Sequence, residues 1–407
     1  MSSEMPLKKL GNVCGFVRGP FGGSLKKSFF KPDGYAVYEQ QHAINNQFDK
    51  IRYFVDDDKF EEMKRFEVFP GDLIMSCSGT MGKVAIVPDK IKRGIINQAL
   101  LKLSPSNDLD VHYLKYWMES NDFQESIAKQ AKGVAIKNVA SVKVLKEIEI
   151  PCPSKKEQQQ IVTLLDQAFA AIDQAKANVE RNLENAKVLF QSKLNEIFSQ
   201  KGEGWEEKKL KEIGETQTGS TPSTKDRENY GDHIPFVKPA HFKDDGSIDA
   251  EESMLSEKGL KKGRLFKENS VLMVCIGATI GKTGFSTIPI SSNQQINALT
   301  PKEKYVPKIF YYAMITDTFF QKVLRNASQA TLPIINKSKW ENLTVSFPSD
   351  RRTQKAIVLT LDDLKKRTIE LQKIQLNKLD HLENLKKSIL QKAFTGELTV
   401  ASKEPIA

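Results

Sequence analysis

Two stretches of the chain, from about Glu157 to Phe198 and from about Thr353 to Phe394, place apolar residues at alternating steps of three and four, the rhythm of a coiled-coil seam. In the first, Ile161, Leu165, Ala168, Ile172, Ala175, Val179, Leu183, Ala186, Phe190, Leu194 and Ile197 keep that rhythm, with polar faces between them. In the second, Ile357, Leu361, Leu364, Leu371, Leu379, Leu382, Leu385, Ile389 and Ala393 keep it, and Thr368 and Gln375 interrupt it. Neither stretch contains Pro or Gly. The pattern predicts two long helices. Ser154 and Glu157 have the S-x-x-E spacing of a capping box at the start of the first. The second has Ser349 but Arg352 at the matching place, which predicts a weaker cap. Gly202, Gly204 and Gly396 are the stop signals. Roughly 38 residues at 1.5 Å rise make a rod of about 57 Å, too long for the core of a small domain. The seams therefore predict rods that pair, antiparallel by preference, through Ile161, Leu165, Ile172, Val179, Leu183, Phe190, Leu194, Leu361, Leu364, Leu371, Leu382 and Ile389. The alternatives are parallel pairing, or each rod packing on its own domain.

The remaining sequence changes period from helical to strand-like, and does so twice, with an offset of roughly 195 to 200 residues. Phe69 to Met75 leads into Gly79-Thr80-Met81-Gly82-Lys83, as Phe266 to Met273 leads into Ala278-Thr279-Ile280-Gly281-Lys282. Asn97-Gln98 is answered by Asn293-Gln294, and the stretch ending at His42 by the one ending at His241. Short apolar runs joined by Gly turns predict a β-rich core in each half. One amphipathic helix follows in each, Val111 to Lys129 and Val306 to Arg325. The expected fold is α+β: two β-rich domains, residues 1–153 and 202–348, each followed by a rod, residues 154–201 and 349–407, in a pseudo-two-fold arrangement.

Composition adds a sign to this plan. The 407 residues are 39% hydrophobic and 28% charged, as in a soluble folded protein, and carry a net charge of +10. A basic surface favours a polyanionic partner. Cys14, Cys77, Cys152 and Cys275 form no C-x-x-C or metal-ligand spacing and read as reduced, mostly buried thiols, which points to the cytoplasm. No secretory leader or membrane-length apolar run is expected, the best run being Val271 to Ile280.

Catalytic motifs are missing where they would be needed. Gly277 to Thr283 looks like a phosphate-binding loop, but three residues separate its glycines where four are required, and Val84 in the first copy lacks the magnesium-holding hydroxyl. A repeated structural turn is the better reading. Asp33 and Glu39 have Gln41 where a metal nuclease would want lysine. No D/N-P-P-Y/F, H-E-x-x-H or G-x-S-x-G sequence is present. What remains is a set of polar and basic residues suited to DNA, cations for phosphates and forked or amide donors for base edges. In the first half these are Arg18, Lys26, Lys27, Lys31, Tyr38, Gln40, Gln41, His42, Lys132 and Lys137, interleaved with Phe29, Phe30 and Tyr35. In the second they are Thr221, Ser223, Lys225, Lys238, His241, Lys243, Gln329 and Lys337.

The whole chain resembles the specificity subunit of Type I restriction-modification systems. The resemblance rests on the duplicated domain-and-rod plan and on Ile150-Pro151-Cys152-Pro153-Ser154 before Glu157 to Val162. Phe347-Pro348-Ser349 before Gln354 and Ile357-Val358, and Ser388 to Leu398, complete it. It implies two target recognition domains, each reading half of a split site in double-stranded DNA, with helices that set the spacer. It also implies a subunit without catalysis of its own, bound by two methyltransferase subunits and two motor-endonuclease subunits. S-adenosylmethionine, ATP and magnesium would belong to those partners, which carry adenine-N6 methylation and ATP-dependent cleavage. Outside the resemblance, the residues also allow a stand-alone coiled-coil scaffold or regulator with weak, charge-driven DNA binding.

Overall fold

The structure, a computed structural model, describes residues 5–130, 141–328 and 331–398. Two compact units form, Met1–Asn178 with Lys378–Ala407, and Val179–Asn377. Each contains one β-rich region and a stretch of both long helices.

In the first unit, β1 (Leu7–Lys9), β2 (Cys14–Arg18), β3 (Tyr35–Tyr38), β4 (Phe54–Val55), β5 (Leu73–Ser76), β6 (Val84–Ile86), β7 (Gly94–Ile96), β8 (Leu100–Pro105) and β9 (Glu149–Pro151) make three sheets. Their orders are β2-β8-β5-β6, β4-β3-β7 and β1-β9. The second unit repeats this with β10 (Trp205–Lys209), β11 (Gly214–Thr218), β12 (Tyr230–Val237), β13 (Met254–Leu255), β14 (Ser270–Val274), β15 (Thr283–Ser286), β16 (Ser291–Ser292), β17 (Ile296–Pro301) and β18 (Thr344–Pro348). Its orders are β11-β17-β14-β15, β13-β12-β16 and β10-β18.

The apolar run in β5 follows from burial on both faces. Leu73 and Met75 pack with Leu101 and Leu103 toward Leu114, Trp117 and Met118. Ile74, between them, points the other way and packs with Ala36, Tyr38 and Ile96. A strand covered on both sides has no solvent face, so its sequence does not alternate. In the second unit, Val271 and Met273 take one face and Leu272 and Val274 the other. All four cysteines are buried and free, and burial pushes the Cys77 thiol up to about 11.

The single helix expected after each β region is two: α1 (Val111–Glu119) and α2 (Asn121–Gln130) in the first unit. Ser120 breaks them, its backbone extended and its hydroxyl donating to the Trp117 carbonyl at 2.6 Å. The rod α3 (Lys155–Ser199) follows. In the second unit α4 (Pro307–Met314) and α5 (Asp317–Asn326) are separated at Thr316, whose hydroxyl accepts from the Phe319 N–H at 3.2 Å, before the rod α6 (Arg351–Thr395). The polar residue at each break offers the backbone a cap in place of another helical turn.

Both rods begin with a cap. The Ser154 N–H donates to Glu157 at 3.0 Å, and the Glu157 N–H to Ser154 Oγ at 3.4 Å. For α6 the weak cap expected from Ser349 and Arg352 is corrected: Asp350 accepts from the Thr353 N–H at 2.7 Å. In the first unit the rods run antiparallel, since Lys386 lies over the Phe169 ring at 4.6 Å while Lys176 pairs with Glu383. Ile161, Leu165, Phe169 and Ile172 share one core with Leu390, Ala393 and Phe394, and that core extends to Leu114 and Trp117. In the second unit Leu194 shares a core with Val358, Leu361 and Phe310. Rod against rod and rod against domain were alternatives in the sequence; within each unit they occur together. Ile161, Leu165, Ile172, Val179, Leu194 and Leu361 are buried, while Leu183, Phe190, Leu364, Leu382 and Ile389 are half-buried. Leu371 is corrected, being 47% exposed. It follows Leu361 by ten residues, about 80° round the helix at 3.6 residues per turn, and the buried positions there are Thr368 and Gln375.

A fully buried glutamine ties each rod's first turn to its β region. Gln158 Oε1 accepts from the Asp110 N–H at 2.8 Å, and its Nε2 donates to the carbonyls of Asp108 and Pro153, each at 2.9 Å. Gln354 Oε1 accepts from the Val306 N–H at 2.9 Å, and its Nε2 donates to the Pro348 carbonyl at 2.8 Å. Eight residues, about two turns, further on, Tyr116 donates to Asp166 at 2.5 Å, and Tyr312 makes the same bond to Asp362. Removing a buried amide strands backbone groups at a cost of about 1–3 kcal/mol. Gln158→Ala and Gln354→Ala should each destabilise the full-length chain by about that amount. Urea denaturation measures it, and an unchanged midpoint would remove the glutamines from this role.

Candidate nucleic-acid interface

Antiparallel pairing brings several loops to one end of each four-stranded sheet. In the first unit Arg18 ends β2 opposite Leu101, and Ser76 ends β5 opposite Leu100. The turn Asn97-Gln98-Ala99 enters β8 at the same end. Its Asn97 N–H donates to the Tyr38 carbonyl at 2.9 Å, and its Ala99 carbonyl accepts from the Cys77 N–H at 2.8 Å. The ends of β2, β3, β5, β7 and β8 therefore meet there. In the second unit the Asn293 N–H donates to the Val237 carbonyl at 3.1 Å, and the Cys275 N–H to the Gln295 carbonyl at 2.7 Å.

Two glycines let these loops close. A Cβ on Gly19 would sit 1.9 Å from the Asn97 carbonyl oxygen, and one on Gly219 would sit 2.2 Å from that of Asn293. No side chain fits at either distance. Asn97 and Asn293 hold the turn from within, accepting from the N–H two residues on at 3.0 and 3.1 Å. The next residue, Gln98 or Gln294, is exposed. Thr221 donates to Gln294 Oε1 at 2.5 Å, which leaves the amide's N–H groups free to donate to a ligand.

The residues expected to contact DNA divide by location. Arg18 pairs with Leu101 at the end entered by the Asn97 turn. Thr221 bonds Gln294 of the Asn293 turn, and Lys238 follows the Val237 carbonyl that Asn293 meets. Gln40 and His241 lie in the short helices after β3 and β12. Gln41 is exposed and donates to Glu39 at 3.3 Å. Tyr38 and His42 are corrected: they are 0% and 1% exposed. Tyr38 donates to the Lys92 carbonyl at 2.5 Å, and the His42 ring accepts the Glu39 N–H at 2.8 Å and meets the Lys50 carbonyl at 3.1 Å. Their polar atoms serve the fold. Lys31, Lys243 and Lys337 are held by Asp56, Asp249 and Glu341, at 3.2, 3.0 and 3.0 Å. Lys26, Lys27 and Lys225 are exposed, and the Ser223 carbonyl accepts from Asn229 at 2.9 Å. Lys132, Lys137 and Gln329 lie outside the described residues.

The aromatics interleaved with the first basic stretch do not form an open stacking platform. Phe30 stacks on Tyr53 at 4.3 Å and Tyr35 on Phe60 at 3.9 Å, while Lys59 covers Phe29 at 4.2 Å. Sequence reasoning passed over Gln98 and Gln294 as candidates, although the repeat containing them was visible. The signal was their recurrence in an exposed turn. The Gly281-Lys282 turn is structural at its glycine: φ is +86° and a Cβ would strike Phe320 at 2.6 Å. Among the described residues, no group of three or more His, Cys, Asp or Glu side chains could hold a metal ion, and no helix is long and apolar enough to cross a membrane.

Residues 3–184 and 202–381 each match the family described as the Type I restriction modification DNA specificity domain. The Type I restriction enzyme MjaIX specificity subunit of Methanocaldococcus jannaschii is 32% identical over 182 residues, 42% of this chain and 42% of that one, so the match spans less than half of that relative. The putative type I restriction enzyme MjaX specificity subunit of the same organism is 24% identical over 392 residues, 90% of this chain and 88% of that one. Among solved structures, a chain from work on complex assembly and conformational transition of the type I R-M system superposes with a TM-score of 0.77 at 18% identity, over 97% and 98% of the two chains. The HsdS subunit from Thermoanaerobacter tengcongensis gives 0.61 at 18% identity, over 97% of each. These structural likenesses concern the fold.

The His241 ring offers a local test of the interface geometry. Its Nδ1 accepts from the Lys238 N–H at 3.2 Å, a role that requires that nitrogen unprotonated. Burial, then the Lys238 charge, lowers its pKa below the ordinary 6.5, against a smaller opposing effect of Asp249. A histidine held neutral by the fold favours folding above its unfolded pKa, and that contribution is lost as pH falls below 6.5 toward the folded value. A proton titration of the His241 ring by NMR should give a midpoint below 6.5. A midpoint above it would mean that the ring is not packed against Lys238 in this way.

Proposed function

Because the chain belongs to the Type I restriction-modification DNA specificity family, we propose that it is the sequence-reading subunit of a Type I restriction-modification complex. In this reading residues 1–153 and 202–348 are target recognition domains, each contacting one half of a bipartite site in double-stranded DNA. Residues 154–201 and 349–407 carry the helices that set the spacer. The observation that carries the proposal is the duplication: two matched segments, each with the same sheet orders and the same Gly-and-Asn-Gln turn at one sheet end. A split site needs two readers, and this chain supplies two.

The subunit performs no chemistry in this reading. Two methyltransferase subunits dock on it and two motor-endonuclease subunits complete the restriction complex, with S-adenosylmethionine, ATP and magnesium held by those partners. Exposed apolar residues on the rods support a docking role, among them Val188, Leu189 and Leu359 at 56, 58 and 60% exposure. Apolar side chains left open along a helix favour a further helix as cover.

Two experiments test the reading. Replacing residues 205–348 with the equivalent region of a relative, then sequencing the methylated sites made by the complex, should change one half-site and leave the other. A change in both halves refutes modular reading. Inserting four helical residues into α3 lengthens it by about 6 Å, and four residues at 3.6 per turn also come close to one whole turn, so the seam's phase is nearly kept. The spacer of the methylated site should grow by roughly two base pairs at 3.4 Å each. An unchanged spacer would show that the rods do not set it.

A further inference from the structure

The two units share some exposed residues at the sheet end and differ at others, and the division is informative. Thr80-Met81-Gly82-Lys83 recurs as Thr279-Ile280-Gly281-Lys282, and Asn97-Gln98 as Asn293-Gln294. The backbone bonds recur with them: the Gly82 N–H donates to the Ser76 carbonyl at 2.9 Å, and the Gly281 N–H to the Val274 carbonyl at 2.8 Å. Beside these turns the units diverge. Arg18 ends β2 where Thr218 ends β11, and Phe21, 72% exposed, stands two places after Gly19 where Thr221 stands two after Gly219.

Some of the shared residues have a folding task. Gly82 and Gly281 are packed closely by the following helix, a Cβ on Gly82 striking Ile127 at 2.4 Å, and Asn97 and Asn293 close their turns. Thr80, Lys83, Gln98, Thr279 and Gln294 are exposed. Among the described residues the side chains of Thr80, Lys83, Gln98 and Thr279 have no polar partner. Lys282 is half-buried and held at 2.9 Å by Asp244, itself fully exposed. Folding does not account for the recurrence of these side chains. Each carries a hydroxyl, ammonium or amide donor at the same end of its sheet.

We propose that this shared set, Thr80, Lys83 and Gln98 with Thr279, Lys282 and Gln294, grips the phosphate backbone of DNA, and that base discrimination lies with the unshared neighbours such as Arg18 and Phe21. The inference rests on the proposed DNA-reading function. Residues identical in two readers of different half-sites carry no information about which half-site is bound, whereas the phosphate backbone is the same in both. Lys83 leads into β6 and Gln98 lies in the turn into β8, strands two spacings apart, roughly 9.5 Å, at one end of the sheet. That arrangement suits successive contacts along one strand. Lys282 is the guarded member, since a phosphate must displace the Asp244 carboxylate from it.

The full chain, purified with its methyltransferase partners, tests the division. Binding to a duplex carrying the recognised site is measured across a salt series, and the methylated sequence is read for each variant. Lys83→Ala should weaken binding several-fold and lower the slope of log affinity against log salt by about 0.9, the value for one lost phosphate contact. Gln98→Ala, which removes no charge, should weaken binding with the slope unchanged, and both variants should methylate the original sequence. Arg18→Ala should relax the sequence requirement in the half-site read by the first unit. A changed methylated sequence with Lys83→Ala or Gln98→Ala would overturn the proposal by making those residues base readers. Unchanged affinity and slope with both would overturn it by removing them from the DNA. Failure of the unsubstituted complex to select any sequence would instead refute the function on which the proposal rests.

Discussion

The fold depends on a buried carboxamide at the first turn of each long helix. Gln158 and Gln354 satisfy a backbone N–H at the entrance to the preceding domain's short helix and a carbonyl of the strand exit, using both ends of one amide. A helix of 45 residues magnifies any error in its starting direction, so a hinge at the first turn would leave its far end undefined. The amide prevents that hinge because three elements meet at it and none can rotate without leaving a buried polar group unpaired. Tyr116 with Asp166 and Tyr312 with Asp362 then hold each rod about two turns further along. Direction is fixed first by polar bonds and then by the apolar seam.

Much of the architecture was legible because its signals are periodic and occur twice. The rods and the β-rich repeat follow from spacing, with antiparallel pairing the preferred of several arrangements, and duplication gives each weak signal an independent second instance. Single residues were less legible. Thr368 and Gln375 read as lapses in the heptad, yet they are the buried positions, and Leu371 is exposed. An apolar pattern broad enough to bury a face against the domain as well as the other rod has more leucines than a two-helix seam needs, so hydrophobicity alone could not choose among them. The cap on α6 was missed for a related reason: Asp350 lies one residue past the position that alignment to Ser154 suggests.

At the candidate interface, residue type misled more than position. Tyr38 ends a strand at the expected edge and His42 lies in the short helix Gln40–Asn45 just after it, but the strand pairs with β7 and both side chains are buried, so their polar atoms are consumed by the backbone. His241 shows the same cap in milder form, half-buried rather than enclosed. A histidine in the short helical turn after a strand is thus a fold device in both units. The glutamines after Asn97 and Asn293 have the opposite character: the asparagine does the structural work of the turn, and the side chain beside it projects into solvent. Burial is a property of the assembled sheet and cannot be read from the residue.

The polar residues in the α6 seam bear on what the rods are for. Thr368 returns its hydroxyl to the Leu364 carbonyl at 2.9 Å, while the buried Gln375 Oε1 has no hydrogen-bond partner among the described residues. An unmet amide oxygen costs stability that leucine would not cost. A polar residue in a seam also narrows the set of alignments, because sliding by a heptad sets it against a different apolar surface. For helices whose proposed task is to define a distance, a slipped but stable pairing is a worse failure than a weaker one. A continuous leucine seam would strengthen the pair while making neighbouring registers closer in energy. The interrupted seam, with direction already fixed at Gln158 and Gln354, favours one alignment over strength.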